Sequence, residues 1–186
     1  MKFIKRTLIT ILILIAIGCL FRGWFYRHLV TYQSVGVRTN YSVTDAKLIA
    51  CINANLDKEA NPGIEEIIQL GLSITSKQLN FTSSKNDIDP NKLINSKTAH
   101  CMGYASFFAT TCNYLLNEYN LADSWTAKPQ IGQLYFLGTN IHPYFNSPFF
   151  KDHDFVTIEN KTTGAIFAVD PTVNDYLMID FITYEK

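Results

Sequence analysis

The stretch HDFVTIENKTTGAIFAVDPT, His153 to Thr172, sets the reading of this chain. Two runs rich in β-branched and aromatic residues flank NKTTG, so the segment reads as an antiparallel hairpin. A turn centred between Lys161 and Thr162 pairs residues whose numbers add to 323, which sets His153 opposite Asp170. Directly opposed side chains share a face with Cβ atoms roughly 4.5 to 5.5 Å apart, close enough for a carboxylate to hold an imidazole N–H. Gly164 is the position at which a bulge would slip that register by one residue and undo the pairing. Along the hairpin Val156, Ile158, Phe167 and Val169 alternate onto one face, and Phe155, Ile166 and Ala168 share the other with His153 and Asp170. Both faces are therefore covered. A buried aspartate is costly without a partner, which favours a His153–Asp170 pair over the plainer reading of Asp170-Pro171 as a turn opener.

Upstream, the periodicity changes from strand to helix. Ala99 to Tyr119 carries Cys101, Ala105, Phe108, Cys112, Leu115 and Tyr119 at steps of three and four, the spacing of a buried helix face. Cys101 stands at its start, where unpaired N–H groups and the macrodipole favour a thiolate. A lone cysteine there reads as the first residue of a buried stripe; His153 and Asp170 change that balance. Before it, FTSSKNDIDPNKLINSKT (81–98) is loop chemistry, and IEEIIQLGLSITSKQLNF (64–81) traces a second helix with Pro62 in its first turn and Glu65 and Glu66 at its positive end. Leu48, Ile49, Ile52 and Leu56 give a short helix over 46–57, while 29–44 reads as a tether or an opening strand. Helices followed by strands such as IGQLYFLG predict an α+β fold, with the nucleophile-bearing helix packed on an antiparallel sheet.

HCMGYASFF at a helix start, followed by HDFV and then AVDPT, resembles the transglutaminase-like superfamily, whose members have a papain-like fold. The resemblance covers roughly residues 64–172. It implies Cys101 as nucleophile, His153 as general base and acid, and Asp170 as the residue orienting the imidazole. The chain departs from the family pattern at Phe155, where a Trp is common soon after the histidine, and at Ala99, where Gly is common two before the cysteine. Those departures bear on substrate class more than on fold. The reaction implied is acyl transfer from a peptide or amide, with water or an amine as acceptor. His100 is expected outside the triad because neighbours on a helix point about 100° apart. His142, in GTNIHPYFNSPFF, is expected to shape the cleft or simply to pack. No CxxC or HExxH spacing supports a metal, and no cofactor is implied.

The N-terminus carries targeting information. Met1, Lys2, Lys5 and Arg6 give a positive start, and Thr7 to Phe21 runs without charge, a length between a signal-peptide core and the roughly 20 residues that span a bilayer. The preferred reading is an uncleaved signal anchor over 1–28, a tether over 29–44 and the folded domain over 45–186, outside the cytoplasm. Lipoprotein processing before Cys19 is a second reading and simple cleavage a third. With 16 cationic and 16 anionic residues the chain has no surplus charge for a phosphate backbone, so nucleic acid is excluded as a partner. The partners expected are a peptide or protein substrate in the cell envelope and the membrane. Cys51, Cys101 and Cys112 are an odd set in a compartment that permits disulfides. A Cys51–Cys112 bridge leaving Cys101 free, buried thiols, and a disulfide-stabilised adaptor are all compatible with the sequence. The alternative to an enzyme is a module of the same fold that binds or assembles without turnover.

Overall fold

The computed structural model describes residues 2–186; Met1, the first residue of the positive start, lies outside them. Helices α1 (Lys2–Leu20) and α2 (Arg22–Leu29) lead into β1 (Val30–Val37), α3 (Ala46–Asn53), α4 (Ile64–Gln78), β2 (Asn80–Phe81), α5 (Pro90–Ser96), β3 (Thr98–Ala99) and α6 (Cys101–Glu118). The second half holds β4 (Trp125–Phe136), β5 (Thr139–Asn140), β6 (Phe155–Asn160), β7 (Ile166–Val169), α7 (Pro171–Leu177) and β8 (Thr183–Glu185). The fold is mixed α+β. Its main sheet runs β7-β6-β4-β1-β8, with β5 paired to β4. Neighbouring strands are antiparallel except β1 and β8, which are parallel, so the sheet expected to be antiparallel is mixed.

Of the two readings of 29–44, residues 30–37 take the strand: β1 lies between β4 and β8, inside the sheet. A register shift between Ser34 and Gly36 bulges it against β4. Helices α3, α4, α5 and α6 pack on one face of the sheet. Leu48, Ile52, Ile67, Ile68, Tyr104, Phe107 and Phe108 are fully buried there against Ala127, Val156, Ile158 and Val169. Each large side chain so removed from water contributes roughly 1.5 to 3 kcal/mol, which makes α6 the centre of the fold. Opposite, Tyr32, Phe155, Ala168 and Ile182 form a smaller cluster joined by Tyr26 of α2. The two faces of the β6–β7 hairpin thus carry the residue sets that alternation assigns to them.

Two helices lie where the sequence reads as loop or turn. Each opens on an Asp-Pro pair: Asp89 caps α5 and Asp170 caps α7, with the proline in the first turn. Proline's missing N–H costs nothing there and its fixed φ suits the helix. Pro62 instead precedes α4, which Gly63 caps while Glu66 accepts the Gly63 N–H at 2.7 Å.

Among the described residues no single helix is long and apolar enough to cross a membrane; Lys5–Leu20 and Arg22–Leu29 at the N-terminus pass that test together as a pair bent by 71°. From Leu8 to Leu20 the large apolar residues of α1 are exposed. Helix α2 returns to the domain: the Arg22 guanidinium donates to the Leu177 carbonyl at 2.6 Å, and Thr183 Oγ1 donates to the Arg27 carbonyl at 2.7 Å.

Candidate active site

Cys101, His153 and Asp170 come together from three elements. Asp170 lies between β7 and α7, His153 just ahead of β6, and Cys101 is the first residue of α6. The Asp170 carboxylate is fully buried and divides its work between its two oxygens. Oδ1 caps α7, accepting the Thr172 and Val173 N–H groups at 2.9 and 3.1 Å. Oδ2 accepts the Tyr32 hydroxyl at 2.7 Å and His153 Nε2 at 2.6 Å. Since Nε2 is taken, Nδ1 is the nitrogen left to meet the Cys101 thiol.

The pairing arises by a different register from the one the sequence suggests. Val156 faces Val169 and Thr157 faces Ala168, so paired numbers add to 325 rather than 323. The turn is centred one residue later because the Asn160 side chain accepts the Thr162 and Thr163 N–H groups and Gly164, at φ +71°, lets Asn160 and Ala165 close the loop. A two-residue slip preserves the side-chain period, so His153 and Asp170 stay on one face and meet on a diagonal. The one-residue slip anticipated at Gly164 does not occur. Gly132 on β4 makes room for the segment that carries His153: its carbonyl accepts the His153 N–H at 2.9 Å, and a Cβ there would fall 2.6 Å from the His153 carbonyl oxygen.

The electrostatics of the three groups are coupled. Burial raises the Cys101 thiol, but hydrogen bonds from His100 and His153, the His153 charge and the Asp154 N–H outweigh it and bring the thiol down to about 7. Burial disfavours the His153 imidazolium, yet the Asp170 carboxylate and the Cys101 thiolate hold its pKa well above the usual histidine range. Asp170, pushed up by burial, is pulled below the ordinary aspartate value by His153 and Tyr32. A thiolate–imidazolium pair backed by a buried carboxylate is the arrangement of an activated sulfur nucleophile.

Sequence reasoning left four contributors out of the site. Tyr32, in the segment read as tether or strand, and Tyr26, in the segment assigned to the anchor, form a chain in which Tyr26 donates to Tyr32 at 2.5 Å and Tyr32 donates to Asp170. Burial and the Asp170 charge hold Tyr32 protonated as that donor. Arg38 grips fully buried Asp154 through Nε at 2.8 Å and Nη2 at 3.0 Å, fixing the chain beside His153. His100 is the fourth: it is the N-cap of α6 with extended backbone, φ −98° and ψ −175°, so the helical 100° argument does not apply to it. Its side chain reaches the Cys101 thiol, while its Nδ1 is buried without a partner. The legible signal for Tyr26, Tyr32 and Arg38 was weak, because Tyr32 and Arg38 act across more than a hundred residues and Tyr26 reaches the site only through Tyr32.

Beside Cys101 and His153 opens a cleft of about 550 Å³, walled by Phe81, Leu134, Ile141, Phe145, Phe149 and Phe150. His142 both lines it and shapes it: Nε2 accepts the Leu134 N–H at 2.9 Å, which leaves Nδ1 to donate to the Phe150 carbonyl at 2.7 Å. With both nitrogens engaged, His142 staples the 141–150 loop to β4. Among the described residues no group of three or more His, Cys, Asp or Glu side chains is placed to hold a metal, and Cys19, Cys51, Cys101 and Cys112 are all unpaired. Comparison of the chain with protein-family models, with curated proteins and with solved structures gave no match.

Proposed function

We propose that this chain is a membrane-tethered, extracytoplasmic cysteine enzyme of acyl transfer with a papain-like, transglutaminase-like core. The observation that carries the reading is the His153 Nε2–Asp170 Oδ2 hydrogen bond of 2.6 Å, with Cys101 and His153 lining the same cleft and the His153 side chain lowering the pKa of the Cys101 thiol. Cys101 thiolate attacks the carbonyl carbon of an amide, and the charge that develops on oxygen meets the free N–H groups at the start of α6. His153 passes its Nδ1 proton to the departing nitrogen as the C–N bond breaks, leaving a thioester on Cys101. Water, or an amine, then gives its proton to His153 and attacks the thioester, and Cys101 leaves as thiolate. Asp170 keeps Nε2 protonated and the ring in place throughout. The apolar helix α1 ties this domain to the membrane, with Lys5 and Arg6 holding the N-terminus on the cytoplasmic side.

An activated ester tests the acylation step directly. Full-length protein mixed with p-nitrophenyl acetate is expected to release one equivalent of nitrophenolate in a burst and to carry acetyl on Cys101, located by mass spectrometry. Absence of the burst, or acetylation spread over lysines with Cys101 untouched, contradicts the reading.

A further inference from the structure

The active-site cleft does not end at Cys101. A second groove of about 380 Å³, lined by Phe81, Thr172, Val173, Tyr176 and Leu177, shares Phe81 and Thr172 with it and contains no charged side chain. Phe81 is the hinge between the two, its ring 6.2 Å from both Phe149 on the catalytic side and Tyr176 on the other. The groove runs to the end of α7, where Tyr176, Leu177 and Met178 are 60%, 46% and 74% exposed. That end is fixed to the chain's apolar N-terminus: Arg22, two residues after the last residue of α1, binds the Leu177 carbonyl at 2.6 Å and that of Met178 at 3.4 Å. Leu20, Phe21, Trp24 and Phe25 around Arg22 are likewise 40% or more exposed. Apolar side chains therefore mark much of the way from the end of α1, past Leu177 and Tyr176, under Phe81 and on to the nucleophile, with the Arg22 guanidinium between the two segments.

We propose that the substrate is an amphiphile of the membrane whose hydrocarbon chain lies in the 172–177 groove and whose amide carbonyl is thereby presented to Cys101. The inference rests on the acyl-transfer reading and on α1 lying in the membrane. It fits the physics of both: exposed aromatic and aliphatic side chains at a bilayer interface are stabilised there, and a hydrocarbon chain lying against apolar walls leaves less of its surface in water on its way to the site. A soluble polar peptide would leave these walls unused, and the charged side chains near Cys101 already have partners: Asp152, the one acidic side chain lining the cleft, and Asp154 lie on Arg38, at 3.5 and 2.8 Å, and Asp170 on His153.

The test uses full-length protein in phosphatidylcholine vesicles and two alkylating probes of identical chemistry, iodoacetamide and N-dodecyl iodoacetamide. The quantity read is the ratio of their second-order rates at Cys101. A ratio of ten or more, falling below three in Leu177→Asp and in Tyr176→Asp, supports the proposal. A ratio near one, or a high ratio that neither substitution lowers, overturns it, the latter because the probe then gains only from partition into the bilayer. The iodoacetamide rate against pH reports the catalytic pair separately, so a normal thiolate profile with a ratio near one sinks the hydrocarbon groove and leaves the acyl-transfer reading standing. A diazirine-bearing hexadecanoic acid in the same vesicles reads the groove without the thiol: crosslinks at Phe81 and within 172–177 support the proposal, and crosslinks confined to α1 contradict it.

Discussion

Asp89-Pro90 and Asp170-Pro171 begin two helices by the same local rule and end in different chemistry. Each starts a seven-residue helix with aspartate at the cap and proline in the first turn, and each helix ends on a non-glycine left-handed residue, Lys97 at φ 58° and Met178 at φ 53°. Asp89 gives its carboxylate to Asn91, accepting its backbone and side-chain nitrogens at 3.0 Å, and stays half-buried. Asp170 uses one oxygen in that way and turns the other to His153 and Tyr32 in full burial. The dipeptide determines that a helix begins. What the second oxygen meets across the fold determines whether the cap also holds a histidine.

Substitutions at the two positions break the comparison apart. Asp170→Asn keeps an acceptor for the Thr172 and Val173 N–H groups but loses the charge facing His153, so acylation by p-nitrophenyl acetate should fall about 10³- to 10⁴-fold with the fold intact. Asp89→Asn should leave that rate unchanged. A similar loss on both sides, or on neither, would show that Asp170 is a cap and no more.

Truncation separates the two in stability. Asp170→Ala removes the cap and leaves the Tyr32 hydroxyl and His153 without their acceptor, a loss of about 3 kcal/mol in urea unfolding, against about 1 kcal/mol for Asp89→Ala. The pH dependence carries a sign. Asp170 has its pKa lowered by folding, so its contribution is present above the unfolded value of about 3.9 and is lost as pH falls through the folded one. His153 has its pKa raised, so its contribution is present below about 6.5 and is lost as pH climbs through the folded value. The difference in stability between wild type and Asp170→Asn should therefore shrink on acidification below about pH 4, and the difference between wild type and Asp89→Asn should stay small throughout.

Tyr32→Phe makes the smallest change, deleting one hydrogen bond to Asp170 Oδ2 and none to Asp89. A hydrogen bond to a charged carboxylate contributes about 1.5 to 3 kcal/mol, so acylation should slow roughly 10- to 100-fold, with no effect on α5. An unchanged rate would mean that the Tyr26–Tyr32 chain packs against the site without positioning it.

The same pair explains what the sequence discloses. The α6 stripe, the two faces of the hairpin and the His153–Asp170 meeting are legible because they rest on periods of 3.6 and 2, which survive a two-residue error in register. Helices α5 and α7 are too short to show a period, and their signature lies wholly in an Asp-Pro pair that reads equally as a turn. His100 was misplaced because one residue separates a cap from a helix interior, and only backbone geometry distinguishes them. Tyr26, Tyr32 and Arg38 stay hidden for a different reason. Tyr32 and Arg38 reach Asp170 and Asp154 because β1 pairs with β4 and β8 far along the chain, and Tyr26 follows through Tyr32; no local pattern records that pairing.

The most direct measurement of the central claim is the rate of Cys101 alkylation by iodoacetamide against pH in the full-length protein, compared with His153→Ala. The thiolate–imidazolium pair predicts a midpoint near the Cys101 value of about 7, moving to roughly 8.5 when His153 is removed. A wild-type midpoint already at that free-thiol value, unmoved by the substitution, would contradict it.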